Sequence, residues 1–545
     1  MNITYKLIVD GQYNIGHICT RQQCDAGLAD KTAMRWVTAD LTVSEISFAH
    51  IDSQSNCFAN AIATLGLKKG EVLFTFLPKM QEQIYAFLGS LKMQLLTGTL
   101  FANFGEEALL DRLGDSQAKA IVTKKSFLKK LLRIRDRLPY LSTIVLVDDE
   151  TRTGEEGIYS YQRLVDSASD CFDALPTSAD TPSVLHYTSG STGKPKGVIH
   201  VHGSVLHQSA TTREVLGLKN DDNYWCTADQ GWVTGTSYGI IGPWSLGVTQ
   251  VHFAGGYDPV KWLKVLQDSA VTVWYSAPTA LRMLMREDDT LFAGFNLDKL
   301  RSIFSVGEPL NPEVIAWSQR VLQRDIYDTW FQTETGGIMI SNRPGLEVRP
   351  GSMGQPVNGT EAAILNEQGN YVDVGDQGNL CLKIGWPSMF VTYMNNAEVY
   401  DQKFCNGYYY TGDTALCDKD GYYWFMGRSD DVINTGGHLI SPFEVESALL
   451  EIEEVAESGA VGIPDEILFE AVVVFVNLHN GVEPSDKLEM KIRLYLANRV
   501  SSIATPKQVV FCDSIPKNKS GKIMRRVLKA RFLGQDEGDL STLED

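Results

Sequence analysis

Apolar positions recur at helical spacing from Ser44 onward, where Phe48, Ile51, Cys57, Ala61 and Leu65 form one face of an amphipathic helix. Residues 1–45 carry no comparable pattern. After the turn Lys68-Lys69-Gly70-Glu71, the compact apolar run 72–77 predicts a buried strand. Residues 81–91 predict a helix with Ile84, Phe87 and Leu91 on one face. Residues 118–123 and 142–147 read as two further strands. Strands alternating with helices predict a parallel sheet covered on both faces.

The alternation resumes beyond residue 180. Ser183-Val184-Leu185-His186 is a short apolar run, 271–275 reads as a strand, 280–284 starts a helix, and 299–304 ends in the strand-to-turn passage Ser305-Val306-Gly307-Glu308-Pro309. Glycine becomes dense from Gly345 to Gly385 and the apolar segments shorten (362–365, 379–382), which predicts a β-rich subdomain. Asp418-Lys419-Asp420-Gly421 has hairpin chemistry and leads into the run 422–426. From Asp430 the pattern changes to a small unit with helices at 444–450 and 487–499 and a strand at 471–476. The expected fold is α/β: a large N-terminal domain (1–429) of layered α/β subdomains plus a β-rich subdomain, then a small α+β C-terminal domain (430–545). No tandem repeat is visible, and the acidic tail from Gly534 is expected to be poorly ordered at its end.

Composition narrows the class of function. With 43% hydrophobic and 21% charged residues the chain is of ordinary globular type. A net charge of −18, from 67 acids against 49 bases, argues against non-specific nucleic-acid binding. Nine scattered cysteines without a CxxC pair read as reduced thiols rather than a disulfide framework or a zinc site. With neither a signal-peptide pattern nor a long apolar run, the expectation is a cytoplasmic protein without a membrane span. An anionic ligand would need a locally basic site.

Tyr187-Thr188-Ser189-Gly190-Ser191-Thr192-Gly193-Lys194-Pro195-Lys196-Gly197 supplies one. Gly190, Gly193 and Gly197 permit backbone conformations costly for other residues, and four hydroxyls and two lysines lie among them. A donor-rich, cationic loop after a strand is suited to a polyphosphate, although the Walker A spacing is absent. Downstream, Thr329-Trp330-Phe331-Gln332-Thr333-Glu334 offers one carboxylate, useful as a magnesium ligand beside a nucleotide triphosphate. Tyr410-Thr411-Gly412-Asp413 offers a carboxylate on an expected tight turn, suited to two ribose hydroxyls. Gly427-Arg428-Ser429-Asp430-Asp431 and Ser520-Gly521-Lys522 follow in the small unit's neighbourhood.

In this order the motifs resemble those of the adenylate-forming superfamily of acyl-CoA synthetases, luciferases and peptide-synthetase adenylation domains. Asp229 to Gly239 and Gly242-Pro243-Trp244 are most similar to the AMP-forming acetyl-CoA synthetases. The resemblance spans residues 44–531 and implies ATP, Mg²⁺ and CoA as ligands. It assigns Thr188, Ser189, Gly190, Ser191, Thr192, Gly193 and Lys196 to the phosphates. Gly307, Glu308, Pro309, Asp328, Thr329, Trp330 and Thr333 then fall to the nucleotide, Asp413 and Arg428 to the ribose, and Glu334 to magnesium. Lys522 matches the family's catalytic lysine, whose ammonium stabilises charge growing on the phosphate as pyrophosphate leaves. Asp430 matches the hinge about which the C-terminal domain rotates between half-reactions, and Gly436, Gly437 and His438 match the pantetheine tunnel.

Trp232, Val233, Thr234 and Val306 match the acetate pocket. Phe331 stands where a tryptophan usually closes it, so space for about one or two methylenes is expected, worth roughly 1–3 kcal/mol each. Acetate is the expected acid, with propionate or butyrate as alternatives. Leu439 replaces an arginine, and Ala497 lacks the family's CoA-phosphate arginine, for which Arg499 or Lys124, Lys125, Lys129 and Lys130 are candidate substitutes. Acetylation of Lys522 would remove its charge. Two other readings stay open: transfer of a longer acyl group to CoA or a carrier thiol, and a nucleotide sensor without turnover.

Overall fold

The computed structural model describes residues 7–188, 195–428, 431–435, 438–465, 468–518, 521–538, 540 and 543, with backbone only at His438 and Leu439. The calls on Ser189, Gly190, Ser191, Thr192, Gly193, Asp430, Gly436 and Gly437 lie outside the described residues, as do the side chains of His438 and Leu439.

The apolar run after Gly70 forms the strand Val72–Phe76, buried at all five positions. Continuous burial of this kind belongs to a strand covered on both faces. It pairs in parallel with Leu96–Leu100 and Ala120–Thr123 in an eight-stranded sheet. The helices Phe48–Thr64 and Gln81–Lys92 form where the periodicity placed them. At one side the parallel order breaks: Pro182–Thr188 pairs antiparallel with Lys196–Val201, Thr188 standing opposite Lys196. Residues 189–195 therefore join two antiparallel strands.

A fourteen-stranded sheet carries the rest of the large lobe. Thr32–Val37, Thr249–Phe253, Asn223–Cys226, Val273–Ser276, Ser302–Val306 and Ile326–Trp330 run parallel. Trp225, Trp262 and Trp274 pack ring against ring beneath them, with centroids 5.3–6.1 Å apart. Beyond Ile326–Trp330 every pairing is antiparallel, through Ile340–Ser341, Ser352–Pro356, Tyr423–Arg428 and Tyr408–Cys417 to Gln377–Lys383 and Ala362–Leu365, short strands within the glycine-dense stretch. The expected parallel and β-rich parts thus share one continuous sheet. Residues 1–45, which showed no pattern, contribute the helix Ile15–Cys19 and the strand Thr32–Val37.

The small lobe has its own five-stranded sheet, with Phe469–Leu478 between Val455–Asp465 and Gln508–Phe511, covered by the helices Pro442–Leu450 and Asp486–Arg499. Glu446 is buried within it, accepting hydrogen bonds from Arg525 Nε at 3.0 Å and Ala460 N at 2.9 Å. The lobes meet where Asn311 Nδ2 donates to Ser447 Oγ at 3.0 Å and Thr279 Oγ1 lies 3.4 Å from the Gly521 carbonyl. Among the described residues no helix is long and apolar enough to cross a membrane.

Candidate active site

The candidate site lies where the large sheet changes from parallel to antiparallel pairing, a point at which strand ends diverge and leave a crevice. Ile326–Trp330 delivers the segment Phe331 to Glu334 there. Asp413 and Arg428 come from two neighbouring antiparallel strands.

Asp413 was expected on a tight turn. It sits instead inside the strand Tyr408–Cys417, directly opposite Arg428. That register explains their pairing at 3.0 Å. The other carboxylate oxygen accepts from Trp330 Nε1 at 3.1 Å and Gln332 Nε2 at 3.0 Å. Burial raises the pKa of Asp413, and Arg428 and Lys522 act against that shift. Gly412, beside it, takes a φ of +77°, a conformation that glycine enters without a side-chain penalty.

Glu334 accepts a hydrogen bond from Tyr393 Oη at 2.9 Å. Lys196 stands over the same tyrosine ring, its Nζ 5.7 Å from the centroid. The preceding backbone is fixed by His200, whose Nε2 lies 2.7 Å from the Thr333 carbonyl. Burial lowers the His200 pKa, so the ring is neutral and donates to that carbonyl. Among the described residues no group of three or more His, Cys, Asp or Glu is placed to hold a metal ion. A single cleft carboxylate fits Mg²⁺ that arrives on phosphate oxygens, since this ion takes one or two carboxylates and completes its shell with phosphate and water.

Lys522 stands at the mouth of the cleft, open to solvent on one side. Desolvation by the surrounding protein, and then Arg428, lower its pKa, while Asp431 and Asp413 raise it. The small lobe therefore presents this lysine to the Asp413–Arg428 pair. Gly521 makes the approach possible: its φ is +85°, and a Cβ there would stand 2.3 Å from Thr279 Oγ1. Thr279 in turn donates to Glu308 at 2.8 Å, and Glu308 also pairs with Arg282.

Other expected residues take less direct places. Asp328 is buried beneath the cleft, accepting from Ser305 Oγ at 2.6 Å, and burial lifts its pKa to about 7. Thr329 spends its hydroxyl on the Ser305 carbonyl and Tyr275. Neither side chain is free for a ligand. The Glu308 carboxylate is likewise taken by Thr279 and Arg282. Gly307, at φ +92°, is exposed with nothing within 4 Å of where a Cβ would be, and with Pro309 forms an open shelf. Gly197 has an ordinary strand conformation and is required for space instead, because a Cβ there would meet Met394 at 2.9 Å.

Val233, Thr234 and Val306 are buried, and Val306 packs in the same cluster as Phe331, whose ring meets Tyr238 edge-on with centroids 5.5 Å apart. Trp232 packs edge-on against Phe101. Among the candidate substitutes for CoA-phosphate binding, Arg499 is held by Glu451 at 2.8 Å, Lys130 donates to the Phe104 carbonyl at 2.9 Å and Lys125 lies 3.6 Å from Asp149. Gln332, Tyr393 and Lys403 line the cleft without having been singled out in the sequence. Gln332 stood within the Thr329 to Glu334 string, whereas Tyr393 and Lys403 carried no motif.

Residues 21–394 match the family described as AMP-binding enzyme, and residues 444–522 match its C-terminal domain. The chain is 43% identical to the acetyl-coenzyme A synthetase of Bacillus subtilis over 98% of its length and 93% of the relative's. It is 36% identical to that of Escherichia coli, covering 100% of this chain and 88% of the other. Among solved structures it resembles an anthranilate CoA ligase in complex with anthranoyl-AMP, at 29% identity and a TM-score of 0.87, covering 97% and 98% of the two chains.

Proposed function

The chain belongs to the AMP-binding enzyme family, and from that premise we propose that it catalyses AMP-forming ligation of acetate to CoA. The observation that carries the reading is the convergence of Asp413, Arg428, Glu334, Lys196 and Lys522 on one cleft.

In the first half-reaction an acetate oxygen attacks the α-phosphorus of ATP and diphosphate leaves, giving acetyl-AMP. Asp413 accepts from the ribose hydroxyls while Arg428, Trp330 and Gln332 hold its carboxylate in place. Gly307 and Pro309 offer the adenine a flat shelf. Thr188 and Lys196, which stand opposite each other on paired strands, donate to the phosphates. Glu334 would hold magnesium together with phosphate oxygens, and the ion would supply positive charge against the departing diphosphate. Lys522 puts its ammonium against the phosphate oxygens, where negative charge grows. In the second half-reaction the CoA sulfur attacks the acetyl carbon, the thiol proton is lost and AMP departs.

The division at residue 430 and a swing about Asp430 belong to this reading. The present orientation, with Lys522 turned to the cleft, suits the first half-reaction, and Gly436, Gly437 and His438 would line the thiol's path after the swing. The acyl group rests among Trp232, Val233, Thr234, Val306 and Phe331. A propionate or butyrate preference has one specific support, the smaller Phe331 ring. Free cysteines, nine in all, fit a reducing cytoplasmic setting, and acetylation of Lys522 would silence the first step.

Lys522→Ala tests the mechanism. Loss of one transition-state donor is expected to slow acetate-dependent diphosphate release about 10²- to 10³-fold, while conversion of supplied acetyl-AMP and CoA to acetyl-CoA continues. Unchanged diphosphate release would overturn it.

A further inference from the structure

Lys403 follows the helix Ala397–Asp401 and has no role in the reading above. Its backbone is fixed on both sides: its N–H donates to the Tyr400 carbonyl at 2.9 Å, and its carbonyl accepts from Tyr410 N at 2.8 Å. The second bond attaches it to the strand that bears Asp413. Its ammonium reaches over Gly412, coming within 3.8 Å of where a Cβ of that glycine would be. Arg428 Nη2 lies 3.3 Å from the same point. Two cations thus converge above one glycine, where a Cβ would press on Arg428 and touch Lys403 at ordinary contact distance.

Like charges brought together in a partly dry site repel unless an anion separates them. Arg428 has Asp413. The Lys403 ammonium has neither a hydrogen-bond acceptor nor an ion-pair partner among the described residues, although the lysine is half-buried. Other lysines in the chain behave differently: Lys92, fully buried, is satisfied by Asp52, Ser55 and Asn56, and Lys529 by Glu470. The charges acting on Lys403 are Glu334, Arg428, Lys196 and Asp413. Of the two carboxylates, Asp413 already accepts from three donors, Arg428 among them, and Glu334 receives Tyr393. Lys196, Lys403, Arg428 and Lys522 therefore face an acid complement too small to neutralise them.

We propose that Lys403 is a phosphate-binding residue of this cleft, donating to phosphate oxygens of the bound nucleotide between the ribose-side pair Asp413–Arg428 and Glu334. The inference rests on the nucleotide-binding reading of the cleft. A neutral ligand, or one without phosphate, would leave the ammonium as uncompensated as it is now.

Calorimetric titration of the full chain with Mg²⁺–ATP, AMP and adenosine compares the wild type with Lys403→Met and Lys403→Arg. Lys403→Met is expected to weaken ATP binding by about tenfold or more, the usual scale for a charge-assisted hydrogen bond, and to leave adenosine within about twofold. Lys403→Arg should recover most of the ATP affinity. An equal loss for AMP assigns the contact to the α-phosphate, and a loss for ATP alone assigns it to the outer phosphates. Unchanged ATP affinity in Lys403→Met, or an equal weakening of adenosine, overturns the proposal. A wild type that binds no ATP overturns the parent reading and this one with it.

Discussion

Replacing Gly521 with alanine puts a methyl group into Thr279. The new carbon would lie 2.3 Å from Oγ1, 2.6 Å from Cβ and 2.7 Å from Cγ2, all well inside van der Waals contact. Two costs follow, and they act on different states. The φ of +85° strains any L side chain by about 1–2 kcal/mol, wherever the small lobe stands, provided that its loop keeps its shape. The collision exists only while Gly521 is seated against Thr279, the placement that turns Lys522 to the cleft. Overpacking of this kind costs about 1–3 kcal/mol, so the lysine-presenting orientation should lose ~5- to ~150-fold in population. Adenylation should fall by that factor, read as acetate-dependent diphosphate release in a single turnover. Thioester formation from supplied acetyl-AMP and CoA should change little. Thr279→Gly in the same chain removes the obstruction and should restore most of the first step. Equal loss in both half-reactions, or no rescue by Thr279→Gly, would refute the assignment of this contact to the adenylating orientation.

Phe331→Trp is expected to fill the space beside Tyr238 and lower kcat/KM for butyrate relative to acetate by about tenfold or more; an unchanged ratio across acetate, propionate and butyrate would remove Phe331 from the acyl pocket. Acid should destabilise the protein through its buried histidines. Burial lowers the pKa of His186 and His202 to about 3 and of His207 to about 4, from 6.5. The unfolded chain therefore binds more protons below pH 6.5, and stability is lost as pH falls from there toward the folded values, by roughly 1.4 kcal/mol per unit for each. Asp328 acts in the opposite sense, because its folded pKa of about 7 lies above 3.8 and costs stability as pH rises between them. These histidines, together with His252, also lowered to about 3 by burial, outweigh Asp328 and the raised Asp413, so the urea midpoint should be lower at pH 5 than at pH 7, and a flat or inverted dependence would contradict this balance.

Much of the fold was legible because burial on both faces writes long apolar runs: Val72–Phe76 and the helix Gln81–Lys92 formed where the pattern placed them. Thr32–Val37 was missed although one partner, Val43–Ser47, follows it closely, because that partner is mostly exposed and writes no apolar pattern. Its other support is remote in sequence: Thr249–Phe253 pairs with it in parallel, and Trp244 Nε1 donates to the Ala33 carbonyl. The site's charged residues were visible as types and order, but their support was not. Asp413 looked like a turn residue because Gly412 precedes it; only the register against Tyr423–Arg428 reveals a strand. Asp328 and Thr329 sit in a string that reads as ligand-facing, yet both are buried, Asp328 bonded by Ser305 and Thr329 bonded to the Ser305 carbonyl and Tyr275. Lys403 was illegible for a simpler reason: a lone lysine on a loop has no pattern, and its meaning comes from the gap above Gly412.

The segment proposed to hold the phosphates is flanked by Pro182–Thr188 and Lys196–Val201, both strands. A helix that begins at a phosphate contributes about half an elementary charge through its aligned peptides, a fixed attraction that no side-chain chemistry can erase. Paired antiparallel strands have almost no such net dipole. Attraction for the nucleotide must then come from whole charges on long side chains, and those can be subtracted one at a time. Each lysine around the cleft that loses its charge to an acyl group would dim the site by a step.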